Sequence, residues 1–467
     1  MPDRKGNSIM LLLLLFLLWP QSAHASLSQW SIPPSPLWLL PFICLLLCIA
    51  LLPLKMPQLW HRSYGKIAGL WSSVMVAALF CTMESVVALN ILKNILFNHY
   101  FPFICLITTL FIISGGIHIS VRAHGRPLAN TAWLVLGSCV ANLIGTTGAA
   151  ILFVRPLMRM NAYRHHKTHV IVFFIFMVCN SGGCLTPIGD PPLFLGFLEG
   201  IPFSWTLTHL GKFFFIMIGS LSVLFFCIDW VIFRYDYRAS PVPPLPDHSR
   251  INIQGKRNIP WLLLVVSLVI ISGLWVNSPQ WGGVALADVM RDVGLLLIAW
   301  AVKSYTPRKI YESNHFNYEP LREVAILFAA IFITVTPVIS LVHAGTSEPF
   351  ASMLATLNPG GQPDNFLYFW ISGILSSFLD NAPTYLVFFH LAGGDAARLA
   401  GDLSPTLIAI SCGAVFMGAM TYIGNAPNFM VKALAEQAHI RMPSFFGYMV
   451  WSCIILLPLF ILISAFF

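Results

Sequence analysis

Residues 128–154 read LANTAWLVLGSCVANLIGTTGAAILFV, an apolar stretch with the look of one membrane crossing. Its flanks contradict that. Arg122 and Arg126 precede it, and Arg155, Arg159, Arg164 and Lys167 follow it. Basic loops mark the cytoplasmic side of an inner-membrane protein, so both ends belong on one side. The middle, Asn142-Leu-Ile-Gly145-Thr146-Thr147-Gly148, is polar and helix-breaking. A re-entrant hairpin that enters and leaves from the cytoplasm satisfies both facts. Irregular backbone is tolerated at membrane depth only inside protein or against a water-filled cavity. The hairpin therefore marks a polar interior.

The rest of the chain supports a membrane reading. Of 467 residues, 57% are hydrophobic and only 9% are charged, against about 25% in soluble domains. So few charges cannot cover a water-facing surface, and lipid must be the main solvent. Many apolar runs reach the roughly 20 residues of a spanning helix. They are continuous, not alternating as in a membrane barrel, so the class is all-α. The net charge of +8 lies in short clusters between runs, which is a topology signal and not a nucleic-acid surface. The ten cysteines form no CxxC and no zinc spacing. They read as small buried hydrophobes, with soft-metal binding at Cys179 and Cys184 a weaker alternative.

At the N-terminus, Arg4 and Lys5 precede the apolar run Ile9 to Trp19, and Ala23-His24-Ala25 follows. This is the layout of a signal peptide over residues 1–25. An uncleaved first helix is the rival reading, and in both the mature chain begins outside. Working along the loops predicts about ten transmembrane helices plus two re-entrant hairpins. The first half, 26–238, holds the inward hairpin 128–154 and a helix over 170–198 broken at Asn180-Ser-Gly-Gly-Cys-Leu-Thr-Pro-Ile-Gly-Asp-Pro-Pro192. A Pro-rich cytoplasmic linker, 239–258, joins it to the second half, 259–467. There the stretch 366–391, centred on Asp380-Asn381-Ala382-Pro383, has no basic cluster after it and reads as an outward hairpin. A helix over 406–434 is broken at Thr421-Tyr-Ile-Gly424-Asn425-Ala-Pro427.

The two halves match at one offset. Gly145 to Ala149 aligns with Asp380 to Thr384, and Thr186-Pro-Ile-Gly189-Asp190 with Thr421-Tyr-Ile-Gly424-Asn425, both 235 residues apart. Because the hairpins face opposite ways, the repeats are inverted. Corresponding broken segments in inverted halves point to a transport site at the bilayer midplane.

The chemistry follows from the breaks. Gly and Pro free backbone groups, and half-helix ends carry partial charge. Asn180, Ser181, Thr186, Thr421 and Asn425 add neutral oxygens suited to a hard cation. Thr146, Thr147 and Asn381 stand at the hairpin tips. Asp190 and Asp380 place carboxylates at membrane depth, where an ionisable group is a functional hypothesis by default. Burial favours the protonated form of a carboxylic acid and a bound cation the ionised form, so one carboxylate can exchange H⁺ for Na⁺. A Na⁺ held by Asn180, Asp380 and Asn425 is the expectation. The plainer reading of Asp190 is a helix cap ahead of Pro191 and Pro192. Glu84, read as mid-span, is a proton-relay candidate. His118 and His390 read as packing or interfacial residues, and Asp229 as a surface partner of Arg234.

At these residues the chain resembles the ion-transporter superfamily of NhaD-type Na⁺/H⁺ antiporters, arsenite carriers, and citrate and dicarboxylate carriers. The carrying motifs are Gly145-Thr-Thr-Gly-Ala-Ala150, Asn180-Ser-Gly-Gly183, Thr186-Pro-Ile-Gly-Asp-Pro-Pro192, Asp380-Asn-Ala-Pro383 and Ile423-Gly-Asn-Ala-Pro427. The resemblance spans about residue 36 to the end. It implies a scaffold, a moving domain that carries both hairpins, and a homodimer in the inner (cytoplasmic) membrane of a bacterium. The Ser-Asn-Thr signature of the dicarboxylate carriers is absent: Gly145-Thr146-Thr147 and Asp380-Asn381-Ala382 stand there. Two carboxylates would also repel a multiply charged anion. Na⁺(Li⁺)/H⁺ antiport is therefore the first expectation and Na⁺- or H⁺-coupled citrate or dicarboxylate transport the alternative. No enzymatic activity and no cofactor beyond the moving ions is expected: HExxH is absent, and Ser181 has no evident base in sequence.

Overall fold

The computed structural model describes residues 35–121, 123–239, 251–281, 284–344 and 348–467. The signal-peptide reading of residues 1–25, Arg122 and most of the linker lie outside them. The protein is an all-α polytopic membrane protein. Seven helices among the described residues are long and apolar enough to cross a membrane, and several begin with a proline in the first turn. There the missing N–H would be unpaired in any case.

The helices form two packed groups. The first contains α1 (Leu39–Lys55), α2 (Pro57–Thr82), α3 (Ser85–Gly115), α8 (Ile259–Leu274), α9 (Leu286–Tyr305) and α11 (Glu319–Ala344), with a short α10 (Arg308–Ser313) between the last two. In it α3 packs on α9 and α2 on α11, and Trp60 Nε1 donates to Glu323 Oε1 at 2.8 Å. The second group contains α4 (Pro127–Met160), α5 (Thr168–Met177), α6 (Pro191–Leu198), α7 (Phe203–Ala239), α13 (Asn365–Phe378), α14 (Asn381–Leu391), α16 (Ser404–Met417), α17 (Ala426–Gln437) and α18 (Phe445–Ser464). Helix α12 (Glu348–Leu357) and the short α15 (Ala396–Ala400) lie in the loops flanking the second hairpin. From His169 to Met177 every residue of α5 is buried, and α16 is almost as enclosed. A helix apolar all round belongs in the centre of its unit, and these two broken segments form that centre.

Helix α4 does not cross straight through. Gly145 has φ 75° and ψ 155°, a region essentially reserved for glycine, and the chain doubles back there. Trp133 Nε1 donates to the Phe153 carbonyl at 3.0 Å. Asn130 and Asn161 exchange amide hydrogen bonds of 2.9 Å in both directions, although a straight helix would hold them about 46 Å apart. Helices α13 and α14 make the same turn, and the Tyr368 hydroxyl donates to the Leu391 carbonyl at 3.2 Å. Alanine at Gly145 would need that glycine-only conformation, at about 1–3 kcal/mol. Gly145→Ala is expected to lower the melting temperature in detergent, and an unchanged melt would mean the tip relaxes freely.

The mouth of the first hairpin is closed by a buried charge cluster. Asp229 of α7 accepts from Arg164 Nη1 at 2.6 Å, His169 Nε2 at 2.7 Å and Asn130 Nδ2 at 3.0 Å. Arg164 and Asp229 are both buried. The surface role expected for Asp229 is thus corrected: Arg234 is its neighbour in sequence, but its cation comes from the loop after the hairpin.

Two further expectations change. Glu84 is not mid-span. Helix α2 ends at Thr82, and Glu84 is exposed at the N-cap of α3. The apolar composition runs unbroken through this junction, so hydropathy gives no sign of the turn. The described end of the linker is not irregular: β2 (Ile251–Gln254) pairs antiparallel with β1 (His118–Val121), His118 opposite Gln254. His118 Nδ1 meets Asn314 Oδ1 at 2.7 Å, and Asn258 donates to the Gly116 carbonyl at 2.8 Å. The linker is thereby stitched to the end of α3.

Candidate functional site

The same contacts recur in the two broken segments at the spacing seen in sequence. Thr186 Oγ1 donates to the Asn142 carbonyl, and Thr421 Oγ1 to the Ser377 carbonyl, each at 2.5 Å. A Cβ on Gly183 would lie 2.7 Å from the Gly189 carbonyl oxygen, and one on Gly424 2.6 Å from that of Gly418. Only glycine permits these backbones to touch. In each half a threonine thus ties the broken segment to its hairpin, and a glycine pair folds the break back on itself. Each break delivers one polar residue to the N-cap of a half-helix: Asp190 ahead of α6 and Asn425 ahead of α17.

These two residues meet. Asn425 Nδ2 donates to Asp190 Oδ1 at 3.1 Å. The hairpin tips converge on the same carboxylate: Thr146 Oγ1 donates to Oδ1 at 2.9 Å, and Asn381 Nδ2 to Oδ2 at 2.6 Å. Asp190 is 1% exposed, so a buried carboxylate is gripped by three donors from three segments. A carboxylate offers about four lone-pair sites, which leaves one. Because the Asn381 amide must turn its NH₂ toward Asp190, its Oδ1 faces away. That oxygen is buried and makes no hydrogen bond among the described residues, and neither does Ser181 Oγ. Buried polar atoms without partners are rare and call for an explanation. A free amide oxygen is a neutral donor of the type a hard cation takes.

Asp380 caps α14, accepting from Ala382 N at 3.2 Å. It lines a cleft together with Asp190, Thr146, Thr147 and Asn425. The cleft has ≈ 90 Å³ of room for water-sized molecules, well above the roughly 10–15 Å³ that a single water needs. Its other wall belongs to the first helix group and is apolar, with Phe103, Leu106 and Leu110 of α3 and Leu321 and Phe328 of α11. No Lys, Arg or His lines it among the described residues.

The predicted residues divide accordingly. Asp190, Asp380, Asn425, Thr146 and Thr147 line the cleft, and Asn381 abuts Asp190. Asn180 lies behind Asn425, accepting from its Nδ2 at 3.3 Å and donating to the Ile175 carbonyl and Asn428 Oδ1, both at 2.8 Å. Asn180 is therefore a strut, and it does not share the cleft with Asp380 and Asn425. Thr186 and Thr421 fasten the backbone, as described. Glu84 is not among the cleft residues. Asn428 was not anticipated. It bridges Asn180 to the Gly418 and Thr421 carbonyls at 2.9 and 3.0 Å. Its place one turn after Asn425 on the same helix was the available signal. Asn142, present in the polar patch, accepts from Leu185 N at 2.8 Å and ties the first hairpin to the first break.

Two hairpins and two broken helices meeting around the buried Asp190 are the architecture of a polytopic membrane transporter. The chain belongs to the family described as "Putative citrate transport", whose profile matches residues 33–467. It is similar to an uncharacterized transporter of Mycobacterium tuberculosis, 25% identical over 333 residues, covering 69% of this chain and 73% of that one. A 46 kDa membrane protein of Mycobacterium leprae is 24% identical over 332 residues, with the same coverage of 69% and 73%. An uncharacterized transporter of Synechocystis is 26% identical over 304 residues, covering 60% of this chain and 63% of its own length.

Proposed function

We propose that this protein is a secondary active transporter that binds a cation in the cleft at Asp190 and Asp380 and exchanges it for protons, as a Na⁺(Li⁺)/H⁺ antiporter. The observation that carries this reading is the donor set. Two carboxylates, the buried Asp190 and the half-buried Asp380, line one cleft that no basic side chain lines among the described residues. Such a site favours a positive occupant. One carboxylate can hold either a proton or the cation, which suffices for coupling. Asn425, Thr146 and Asn381 fix Asp190 so that the site changes occupant without rearranging. The cleft wall formed by α3 and α11 is apolar and offers an occupant no side-chain hydrogen bond. The hairpin unit can slide along this cleft wall without breaking hydrogen bonds there, in the manner of alternating access. We place the protein in the bacterial inner membrane as a homodimer.

The family description favours a second reading, Na⁺- or H⁺-coupled transport of citrate or a similar organic anion. The cleft restricts how that would work. With two carboxylates and no lining cation, a polyvalent anion would have to enter with a cation that bridges it to Asp190 and Asp380.

Proteoliposomes loaded with a pH-sensitive dye separate the two. On the first reading, adding Na⁺ or Li⁺ without citrate moves protons, and K⁺ moves fewer. Proton movement only when citrate is present would overturn antiport in favour of the anion carrier.

A further inference from the structure

Helix α7 is 37 residues long, about 55 Å at 1.5 Å per residue. The hydrocarbon core of a bilayer is about 30 Å thick, so α7 runs on into the headgroup layer. Its basic flank puts that end on the cytoplasmic side. The last turns read Phe226-Cys-Ile-Asp-Trp230-Val-Ile-Phe233-Arg234-Tyr-Asp-Tyr237. Phe226, Trp230, Phe233 and Tyr237 follow one another at helical spacing, which places four aromatic rings on one face. That face and the start of α4, Arg126-Pro127-Leu128, enclose an open groove of ≈ 570 Å³ that Arg234 also lines.

The register of the two helices brings both arginines to one level. Helix α4 leaves the cytoplasmic flank and α7 returns to it, so the pair is antiparallel. Asn130 Nδ2 donates to Asp229 Oδ2 at 3.0 Å and pins them together. Arg126 precedes Asn130 and Arg234 follows Asp229 by about one helical turn each, both toward the cytoplasm. The Arg234 guanidinium lies against Trp230, with Cζ 4.0 Å from the ring centroid. On the membrane side of the two arginines, Phe226 and Leu128 are exposed.

The positive charge in the groove is not balanced from within. No Asp or Glu lines it among the described residues. The two acids of this part of α7 are buried and turned elsewhere. Asp229 is held by Arg164, His169 and Asn130 at the hairpin mouth. Asp236 lies 2.6 Å from His166 Nδ1 and 3.7 Å from Arg164 Nε. Among the described residues neither Arg126 nor Arg234 forms an ion pair. Two cations therefore open on an aromatic floor at the depth where lipid headgroups meet water.

We propose that this groove binds one anionic phospholipid of the cytoplasmic leaflet, its phosphate held by Arg126 and Arg234 and an acyl chain laid along Phe226 and Leu128. The planar guanidinium matches phosphate geometry better than any other side chain. Basic pockets between helices on the cytoplasmic side suit such headgroups, and the volume falls in the range of ligand sites, about 300–1,000 Å³. A free phosphate would satisfy the arginines and leave the aromatic face bare. A zwitterionic lipid would cover that face but set an ammonium beside two guanidinium groups. The groove stands apart from the transport cleft, and its occupation does not depend on the cargo. Phe233 separates it from the buried clasp, with Arg164 Cζ 5.5 Å from the ring centroid on that side. A bound lipid thus packs against the structure that closes the first hairpin.

Native mass spectrometry of the full chain in detergent tests the site, with phosphatidylglycerol and phosphatidylcholine of matched acyl chains added in turn. Wild type is expected to bind its first phosphatidylglycerol about tenfold more tightly than phosphatidylcholine, the effect of roughly one charge-assisted hydrogen bond. Arg126→Gln combined with Arg234→Gln should erase that preference. Lys55→Gln combined with Arg62→Gln removes the same charge from exposed positions on α1 and α2 and should leave it intact. An unchanged preference in the groove variant, or an equal loss in both double variants, overturns the site. Displacement of the lipid by an equal concentration of inorganic phosphate also overturns it, because the groove would then hold a free anion. If the double groove variant does not fold, Arg126→Gln carries the test with a partial loss of preference, because Arg126 has no ion pair among the described residues to lose.

Discussion

Asp190→Asn is expected to reduce cation-driven proton movement by about 100-fold or more, because removing one partner of a buried charge pair costs about 3–5 kcal/mol. The variant keeps the shape of the carboxylate but cannot ionise. Membrane insertion should survive, for a specific reason. The new amide would set an NH₂ group near Asn381 Nδ2, now 2.6 Å from Asp190 Oδ2. Rotating the Asn381 amide brings its unpaired Oδ1 toward that group and restores a hydrogen bond. Asp380→Asn is expected to abolish exchange as well, with less effect on packing, because the side chain lines the cleft and, among the described residues, accepts only the Ala382 N–H. Dye-loaded proteoliposomes at matched protein density measure both. Wild-type rates in Asp190→Asn would reduce that residue to a helix cap, and wild-type rates in Asp380→Asn would remove Asp380 from the mechanism.

The second large effect concerns stability. Arg164→Met strips the guanidinium from Asp229 and leaves a carboxylate that is 0% exposed with, among the described residues, only His169 and Asn130 as partners. An uncompensated buried charge of this kind costs about 3–5 kcal/mol. The melting temperature in detergent should fall sharply and the yield of folded protein with it. Adding Asp229→Asn to the same chain removes the stranded charge and should recover part of the loss, so the two changes are not additive. Equal melting of Arg164→Met and wild type would mean that the clasp at the hairpin mouth is not a structural element. Losses that simply add in the double variant would mean that Arg164 and Asp229 act separately.

The site was legible in sequence to the extent that its parts are local. Gly145, the Thr-Pro-Ile-Gly-Asp and Thr-Tyr-Ile-Gly-Asn breaks, and Asp380-Asn381 each announce themselves by helix-breaking residues inside apolar runs. Which carboxylate stands at the centre was not legible. Asp190 and Asp380 look equivalent along the chain, and Asp380 carries the motif in its own hairpin. The hydrogen bonds show otherwise: Asp190 gathers Thr146, Asn381 and Asn425, while Asp380 holds its own helix cap. Asn180 was drawn toward the ion by the oxygen it offers, yet its amide is consumed in bracing Asn425 and Asn428.

The sequence alone determined that the chain lives in lipid, that residues 128–154 turn back, and that two halves share one plan. Those properties follow from composition, loop charge and repeat spacing, which need no knowledge of what lies across the fold. Tertiary structure alone decided that Asp229 is clasped by Arg164, that β2 seals the linker to β1, that Glu84 lies at a helix junction, and that His99 and His390 close on Glu199. Each of these depends on side chains or backbone brought together from distant parts of the chain, or on a turn that leaves hydropathy unchanged. In an apolar chain, hydrophobicity fixes which segments are buried but is nearly uniform along them. The few polar groups choose their partners only once packing has set their distances.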